Sequence, residues 1–290
     1  MICSVGQSVR VGQNTGVFMK RFSALFALWL GIALPGLAHA CGPDSDCEIG
    51  DRSYRVAMPD TYDGTDPVGA IVFAPGYGGS ARGVMRNMNL RRMVSEMGLA
   101  LIAAQSGPDH WSIPGAPSNM NSTGAAEMAY FEAVIADVTT RFAIDPDRIM
   151  MSGFSAGAML TWEVACQRPD LFVGFAAVSG TFWQGPPEAC AAPASVIHIH
   201  GTQDRTVPLS GRPIAQTKQG DVMEVLAMYR KAGGFGPIKR VSVDDMGLNC
   251  ARQNNVSGDV LEFCTFVGGH SFRSGFLRYA WERLEAAGKV

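Results

Sequence analysis

Residues 147–167 constrain the fold more than any other stretch of the chain. Asp147-Arg148-Ile149-Met150-Met151-Ser152 is short and apolar at its centre, as a buried strand is. Gly153-Phe154-Ser155-Ala156-Gly157 follows, and Ala158 to Cys166 then runs on at helical spacing without a breaker. A strand turning sharply into a helix through G-x-S-x-G lifts its serine hydroxyl to the carboxyl edge of a sheet. Glycine suits both flanking positions, because the turn is tight and a Cβ would clash. The helix N-terminus adds a positive dipole beside the hydroxyl. Ser155 is therefore the candidate nucleophile.

Strand-like and helix-like stretches alternate on both sides of this unit. Arg52–Met58 reads as a first strand; Ala70–Ala74 and Leu99–Ala104 are continuous apolar runs, as in strands buried on both faces. Arg82 to Met97 has helical spacing ended by Gly98, with Met85, Met88, Met93 and Met97 on its core face. A long helix is expected over Ala125–Phe142, strands at Val173–Val178 and Val196–His200, and a helix near Asp221–Ala232. Strands near Lys239–Val243 and Val260–Val267 precede a final helix from Phe272. This alternation predicts an α/β fold: a mostly parallel central sheet with helices on both faces.

The N-terminus reads as a targeting segment. Lys20-Arg21 is a basic start, Phe22–Leu37 is almost wholly apolar, and Ala38-His39-Ala40 fits cleavage after Ala40. Met19, directly before Lys20, is the expected true start, with residues 1–18 an upstream extension. Residues 41–290 then form one catalytic domain, secreted to the periplasm or the medium and with no stable membrane insertion. The first forty residues hold three of the 24 basic residues and no acid, so the mature chain carries 21 basic against 26 acidic residues, net −5. That balance argues against nucleic acid as a partner. Six cysteines remain, an even number in an oxidising compartment; sequential pairs Cys41–Cys47, Cys166–Cys190 and Cys250–Cys264 are expected among the possible connectivities.

The partners of Ser155 follow by elimination. In this fold class the order along the chain is serine, acid, histidine. Ser195-Val-Ile-His-Ile-His-Gly-Thr-Gln-Asp204 is an apolar strand, a glycine turn and an acid at the carboxyl edge. Beyond it the only histidine is His270, in Gly268-Gly269-His270-Ser271. His270 would take the hydroxyl proton, and Asp204 would fix its tautomer and stabilise the imidazolium. The Ala156 N–H and the Tyr77 N–H, in the turn Pro75-Gly76-Tyr77-Gly78-Gly79, are the expected oxyanion donors. Each of the three side chains has a structural alternative, but all three fall at strand ends. His198 and His200 alternate on one strand face; packing near the site is favoured over a metal pair, since no third ligand is evident. Trp111 and Trp183 lie on loops at the carboxyl edge, either lining a substrate pocket or simply packing.

At this point the chain resembles the polyhydroxybutyrate depolymerase and feruloyl esterase group of secreted α/β-hydrolases. The resemblance rests on Cys41…Cys47 before Arg52-Ser-Tyr-Arg-Val56, on Gly76-Tyr-Gly-Gly-Ser80, and on Ile144-Asp-Pro-Asp-Arg148 leading into Gly153-Phe-Ser-Ala-Gly-Ala-Met159. It continues in Ala165-Cys-Gln-Arg-Pro-Asp-Leu-Phe172, His198-Ile-His-Gly-Thr-Gln-Asp-Arg-Thr-Val-Pro208 and Gly268-Gly-His270. It implies an α/β-hydrolase fold without a large lid domain and cofactor-free hydrolysis of a polyester or other ester-bearing substrate through Ser155, Asp204 and His270. Three departures lie at the expected rim: Pro75-Gly76 in place of His-Gly, Phe272-Arg273 in place of Trp-Pro, and no acidic pair in Asn121-Ser-Thr-Gly-Ala-Ala126. Only 14 residues separate Gly180 from Ser195, where such folds often carry a lid, so an open site is expected. Polyester hydrolysis is the leading reading and a feruloyl or other aryl or acetyl esterase the alternative. A serine peptidase and a non-catalytic polymer-binding protein are the remaining readings.

Overall fold

The computed structural model describes residues 41–108 and 110–290, so the targeting segment lies outside the described residues. The order is β1 (Cys47–Ile49), β2 (Arg52–Ala57), β3 (Val68–Ala74), α1 (Ala81–Arg86), α2 (Met88–Glu96), β4 (Ala100–Ala104), α3 (Ala125–Arg141), β5 (Ile144–Phe154) and α4 (Ala156–Gln167). Then come β6 (Gly174–Val178), β7 (Val196–Gly201), a small hairpin of β8 (Arg212–Ile214) and β9 (Thr217–Gln219), α5 (Val222–Ala232), β10 (Lys239–Val243), β11 (Leu248–Asn254), β12 (Val260–Phe266) and α6 (Gly275–Glu285).

Ten strands make one sheet in the order β1-β2-β4-β3-β5-β6-β7-β12-β11-β10. The middle six, β4 to β12, pair in parallel; β1 and β2 at one edge and β11 and β10 at the other are antiparallel. Side chains alternate across β3: Ala70, Val72 and Ala74 enter one core layer, Ile71 and Phe73 the other. The first layer is filled by α3, α4 and α5 through Phe131, Trp162 and Tyr229, and the second by α1, α2 and α6 through Met85, Leu90 and Trp281. Covering both faces explains why the central strands are continuous apolar runs. The mostly parallel sheet with helices on both faces is thus observed as expected.

The single helix expected over 82–97 is two. Asn87 ends α1 and caps α2, its side chain accepting from the Leu90 N–H, a local bond that competes with helix continuation. Met85 and Met93 are buried, but Met88, first residue after the break, is 55% exposed and does not belong to the core. The hairpin β8–β9 and strand β1 were not apparent in the sequence. All three expected disulfides are present: Cys41–Cys47, Cys166–Cys190 and Cys250–Cys264. The second ties the end of α4 to the loop before β7, and the third joins directly opposed residues of β11 and β12.

The order β4-β3-β5 reverses direction across β3, because the chain leaves β3 for β4 and returns to β5 on the opposite side. Ligand crevices of open α/β sheets form at the carboxyl ends of strands flanking such a reversal. Here those ends are the turn after β3 and the Ser155 turn after β5.

Candidate active site

Ser155 sits between β5 and α4 with φ 57° and ψ −119°, a costly conformation for a residue with a side chain. The crossing is very close. A Cβ on Gly157 would lie 1.9 Å from the Ala74 carbonyl oxygen, and one on Gly153 would lie 2.2 Å from the Gly157 oxygen. The first turn of α4 is therefore pressed against the end of β3. The amide of Ala156 opens that helix, where backbone N–H groups have no intrahelical acceptor.

The turn after β3 is held from above. Trp111, buried, donates its indole N–H to the Pro75 carbonyl at 2.8 Å. This bond to the backbone holds the start of the turn that carries Gly76 and Tyr77. Tyr77 itself is 73% exposed, its ring lying 4.1 Å from that of His110.

Asp204 and His270 come together as the sequence predicts. His270 Nδ1 and Asp204 Oδ2 are 2.7 Å apart. Asp204 Oδ1 accepts the backbone N–H groups of Thr206 at 2.9 Å and Val207 at 2.8 Å. The two loops that carry the pair are bonded to each other, Gln203 N–H to the Gly268 carbonyl at 2.8 Å. Gly201 permits this approach, since a Cβ there would meet the Gly269 oxygen at 2.4 Å. Burial alone would push the Asp204 carboxyl up, but hydrogen bonds from His200, His270 and the Val207 amide outweigh it and hold the group well below the usual carboxylate range. His270 is tied to the Ser155 turn through Phe154, whose ring lies 4.7 Å from the imidazole. Phe272, a second departure from the family pattern, packs on Phe154 and Phe73 from the same side.

Behind Asp204 lies a buried chain of polar groups. The Trp162 indole N–H donates to His198 Nδ1 at 3.1 Å, His198 Nε2 contacts His200 Nδ1 at 2.9 Å, and His200 Nε2 contacts the Val207 carbonyl at 2.8 Å and Asp204 Oδ2 at 3.5 Å. An indole can only donate, so His198 Nδ1 is bare and its proton sits on Nε2. His200 in turn carries its proton on Nε2, aimed at Val207 and Asp204. Burial, followed by the neighbouring His200, drives the His198 pKa well down and keeps that ring neutral. The four ring nitrogens are thus engaged with Trp162, with each other and with the acid loop, which is the packing role favoured over a metal pair. Among the described residues, one cluster has metal-compatible spacing, Cys250, Glu262 and Cys264, but its two cysteines are joined as a disulfide.

Ser155, Ala156 and Met159 floor a cavity of about 410 Å³. Its walls include Tyr77, His110, Trp111 and Trp183, with Arg212 and Gln219 from the hairpin β8–β9. Both tryptophans singled out in the sequence therefore line it, Trp111 with its indole nitrogen already committed to Pro75. The short connection after β6 builds no lid, but the site is less open than its length suggests. Residues 110–119 and the hairpin β8–β9 wall the cavity instead, joined by the Thr217 hydroxyl bond to the Gly115 carbonyl at 2.8 Å. A larger groove of about 670 Å³ lies on the far side of Trp183, lined by Ser122, Thr123, Glu163, Gln167 and Gln184 among others. Glu163 is buried there, and burial raises its pKa to about 7 despite a hydrogen bond from Gln167.

Comparison with known proteins bears on the fold and the enzyme class. A phospholipase/carboxylesterase family model matches residues 109–228. In solved structures the same architecture occurs in an acetyl xylan esterase from Aspergillus awamori, with TM-score 0.60 at 14% identity over 83% of this chain and 98% of that one. The chain has the α/β-hydrolase fold. It is 25% identical over 224 residues to NocK of Nocardia uniformis subsp. tsuyamanensis, a protein named as an esterase, covering 70% of this chain and 65% of NocK. It is 24% identical over 200 residues to feruloyl esterase D of Neurospora crassa, covering 62% of this chain and 67% of that protein. The chain thus spans about two thirds of the length of each of these relatives.

Proposed function

We propose that this α/β-hydrolase is a secreted serine esterase that cleaves carboxylic esters through Ser155, His270 and Asp204. The observation that carries the reading is the His270–Asp204 bond at 2.7 Å, beside a serine held at positive φ on the floor of a cavity. The Ser155 oxygen attacks the ester carbonyl while His270 Nε2 takes its proton. Negative charge gathers on the carbonyl oxygen, opposite the N–H groups of Ala156 and Tyr77. The tetrahedral intermediate collapses, His270 returns the proton to the departing alcohol, and the acyl group remains on Ser155. Water, deprotonated by the same imidazole, then releases the acid and restores the serine. Asp204 stabilises the imidazolium in both halves. No step calls for a cofactor.

Two substrate classes follow. The relatives named feruloyl esterases and the aromatic wall of Tyr77, His110, Trp111 and Trp183 favour an aryl-acid ester. The family motifs of the sequence equally favour a polyhydroxybutyrate-like polyester, whose chain end would enter the same cavity. Incubating the mature protein and Ser155→Ala with a feruloyl ester and with a polyhydroxybutyrate emulsion separates the two. Serine-dependent ferulate release assigns the first class, and 3-hydroxybutyrate release the second. Cleavage of peptides but not esters would replace both with the peptidase reading. The three disulfides accord with an oxidising compartment, and no helix among the described residues is long and apolar enough to cross a membrane. N-terminal sequencing of the secreted protein tests cleavage after Ala40.

A further inference from the structure

Among the described residues lining the cavity beside Ser155, one is a permanent cation. Arg212, at the start of β8, is exposed at its mouth, yet it is not loosely held. Its Nε–H reaches the Thr206 carbonyl at 2.9 Å and Gln219 Oε1 at 3.4 Å. Gln219 is buried and bridged to Trp183 across the cavity wall. The guanidinium is thereby oriented by its inner nitrogen, while Nη1 and Nη2 bond to nothing among the described residues. Seven other arginines do find carboxylates: Arg52, Arg55, Arg141, Arg168, Arg252, Arg278 and Arg283.

No described lining residue supplies the missing partner. Among the described lining residues there is no aspartate or glutamate, and the remaining walls are aromatic, aliphatic, amide or hydroxyl. The chain as a whole is net negative, so the charge at this mouth runs against the overall balance. A guanidinium whose two outer nitrogens are free offers a planar fork that fits one carboxylate through parallel hydrogen bonds. A doubly charged phosphate would leave one charge uncompensated against an apolar wall.

We propose that Arg212 binds a free carboxylate on the substrate, so that the enzyme prefers esters carrying one, such as hemiesters of diacids or acid-terminated oligoesters, over their neutral counterparts. The inference rests on the esterase reading. The carboxylate can sit on the acyl portion or on the alcohol portion, and two substrate pairs distinguish these. For the acyl side, mono-4-nitrophenyl adipate is compared with its methyl ester. For the alcohol side, 4-butanoyloxybenzoic acid is compared with its methyl ester. The quantity measured is the acid-to-neutral ratio of kcat/KM, with uncatalysed rates subtracted, in wild type, Arg212→Lys and Arg212→Gln. Taking the ratio within each enzyme removes any general loss of activity caused by freeing Thr206.

In at least one pair the wild-type ratio should favour the acid by about fivefold or more at low salt, as befits a pinned, partly exposed ion pair. It should shrink as ionic strength rises, fall in Arg212→Lys, and drop to one or below in Arg212→Gln. A wild-type ratio at or below one in both pairs overturns the proposal, as does a preference that survives in Arg212→Gln. If the neutral esters are not hydrolysed in a Ser155-dependent way, the esterase reading fails first and this inference falls with it; Ser155-dependent turnover without an acid preference refutes the Arg212 assignment alone.

Discussion

Replacing His200 by leucine tests whether the buried imidazole chain supports the acid of the site. His200 is fully buried and bridges three groups: the His198 Nε2–H at 2.9 Å, the Val207 carbonyl at 2.8 Å and Asp204 Oδ2 at 3.5 Å. Leucine fills much of the same space but neither donates nor accepts. The His198 N–H and the Val207 carbonyl are then buried without partners, each costing about 1–3 kcal/mol. Asp204 keeps His270 and the two backbone N–H groups on Oδ1, so its charge stays compensated. The sum is a loss of about 2–6 kcal/mol in folding stability. Catalysis falls separately, because Val207 both receives His200 and donates to Asp204; a loosened acid loop misplaces His270 and lowers kcat by about ten- to a hundredfold. Urea unfolding monitored by tryptophan fluorescence measures the first effect, and 4-nitrophenyl butyrate turnover the second. His200→Gln, which keeps a donor and an acceptor, should recover part of both losses. A His200→Leu variant with wild-type midpoint and wild-type kcat would refute the reasoning.

Further expectations concern other parts of the site. Trp111→Phe removes the bond to the Pro75 carbonyl and should cost about 1 kcal/mol in stability, with a drop in kcat larger than any change in KM; equal kcat would deny Trp111 a part in holding the turn that carries Tyr77. The folded state holds the Glu163 proton up to about pH 7, above the ordinary 4.5, so stability is lost as pH rises between those values. Glu163→Gln should therefore stabilise at pH 8, by on the order of 3 kcal/mol, and have little effect at pH 4; urea midpoints at the two pH values check the sign. Replacing Cys166 and Cys190 together by serine opens a link across 24 residues and should cost about 3 kcal/mol, read as a lowered thermal midpoint.

The parts of the molecule legible in the sequence are those set by backbone demands and two-sided burial. β3, β4 and β6 are apolar runs because helices cover both faces, and the Ser155 turn shows its glycines because β5, α4 and β3 meet within contact distance. His270 was found because chain order left one histidine, and Asp204 because it follows an apolar strand and a glycine turn at the carboxyl edge. What stayed hidden depends on which side chain meets which after folding. Arg-Pro-Ile and Thr-Lys-Gln of the hairpin β8–β9 have neither length nor alternation to announce strands, so Arg212 and Gln219 gave no signal as cavity residues. Glu163 looks like any polar residue on a helix until α4 is seen to be buried nearly all round. The break at Asn87 was in principle visible, since asparagine caps helices, but the apolar spacing ran across it. The donor-only character of Trp162, which sets both imidazole tautomers, became informative only once its neighbour was known.

The central claim is that Ser155 is a nucleophile activated by His270. A fluorophosphonate probe tests it most directly, with the modified residue located by peptide mass spectrometry. The adduct should appear on the peptide containing Ser155, be absent in Ser155→Ala, and form far more slowly in His270→Ala although that variant folds. Ester hydrolysis that persists undiminished in Ser155→Ala, or a folded wild-type protein that acquires no adduct at Ser155, would contradict it.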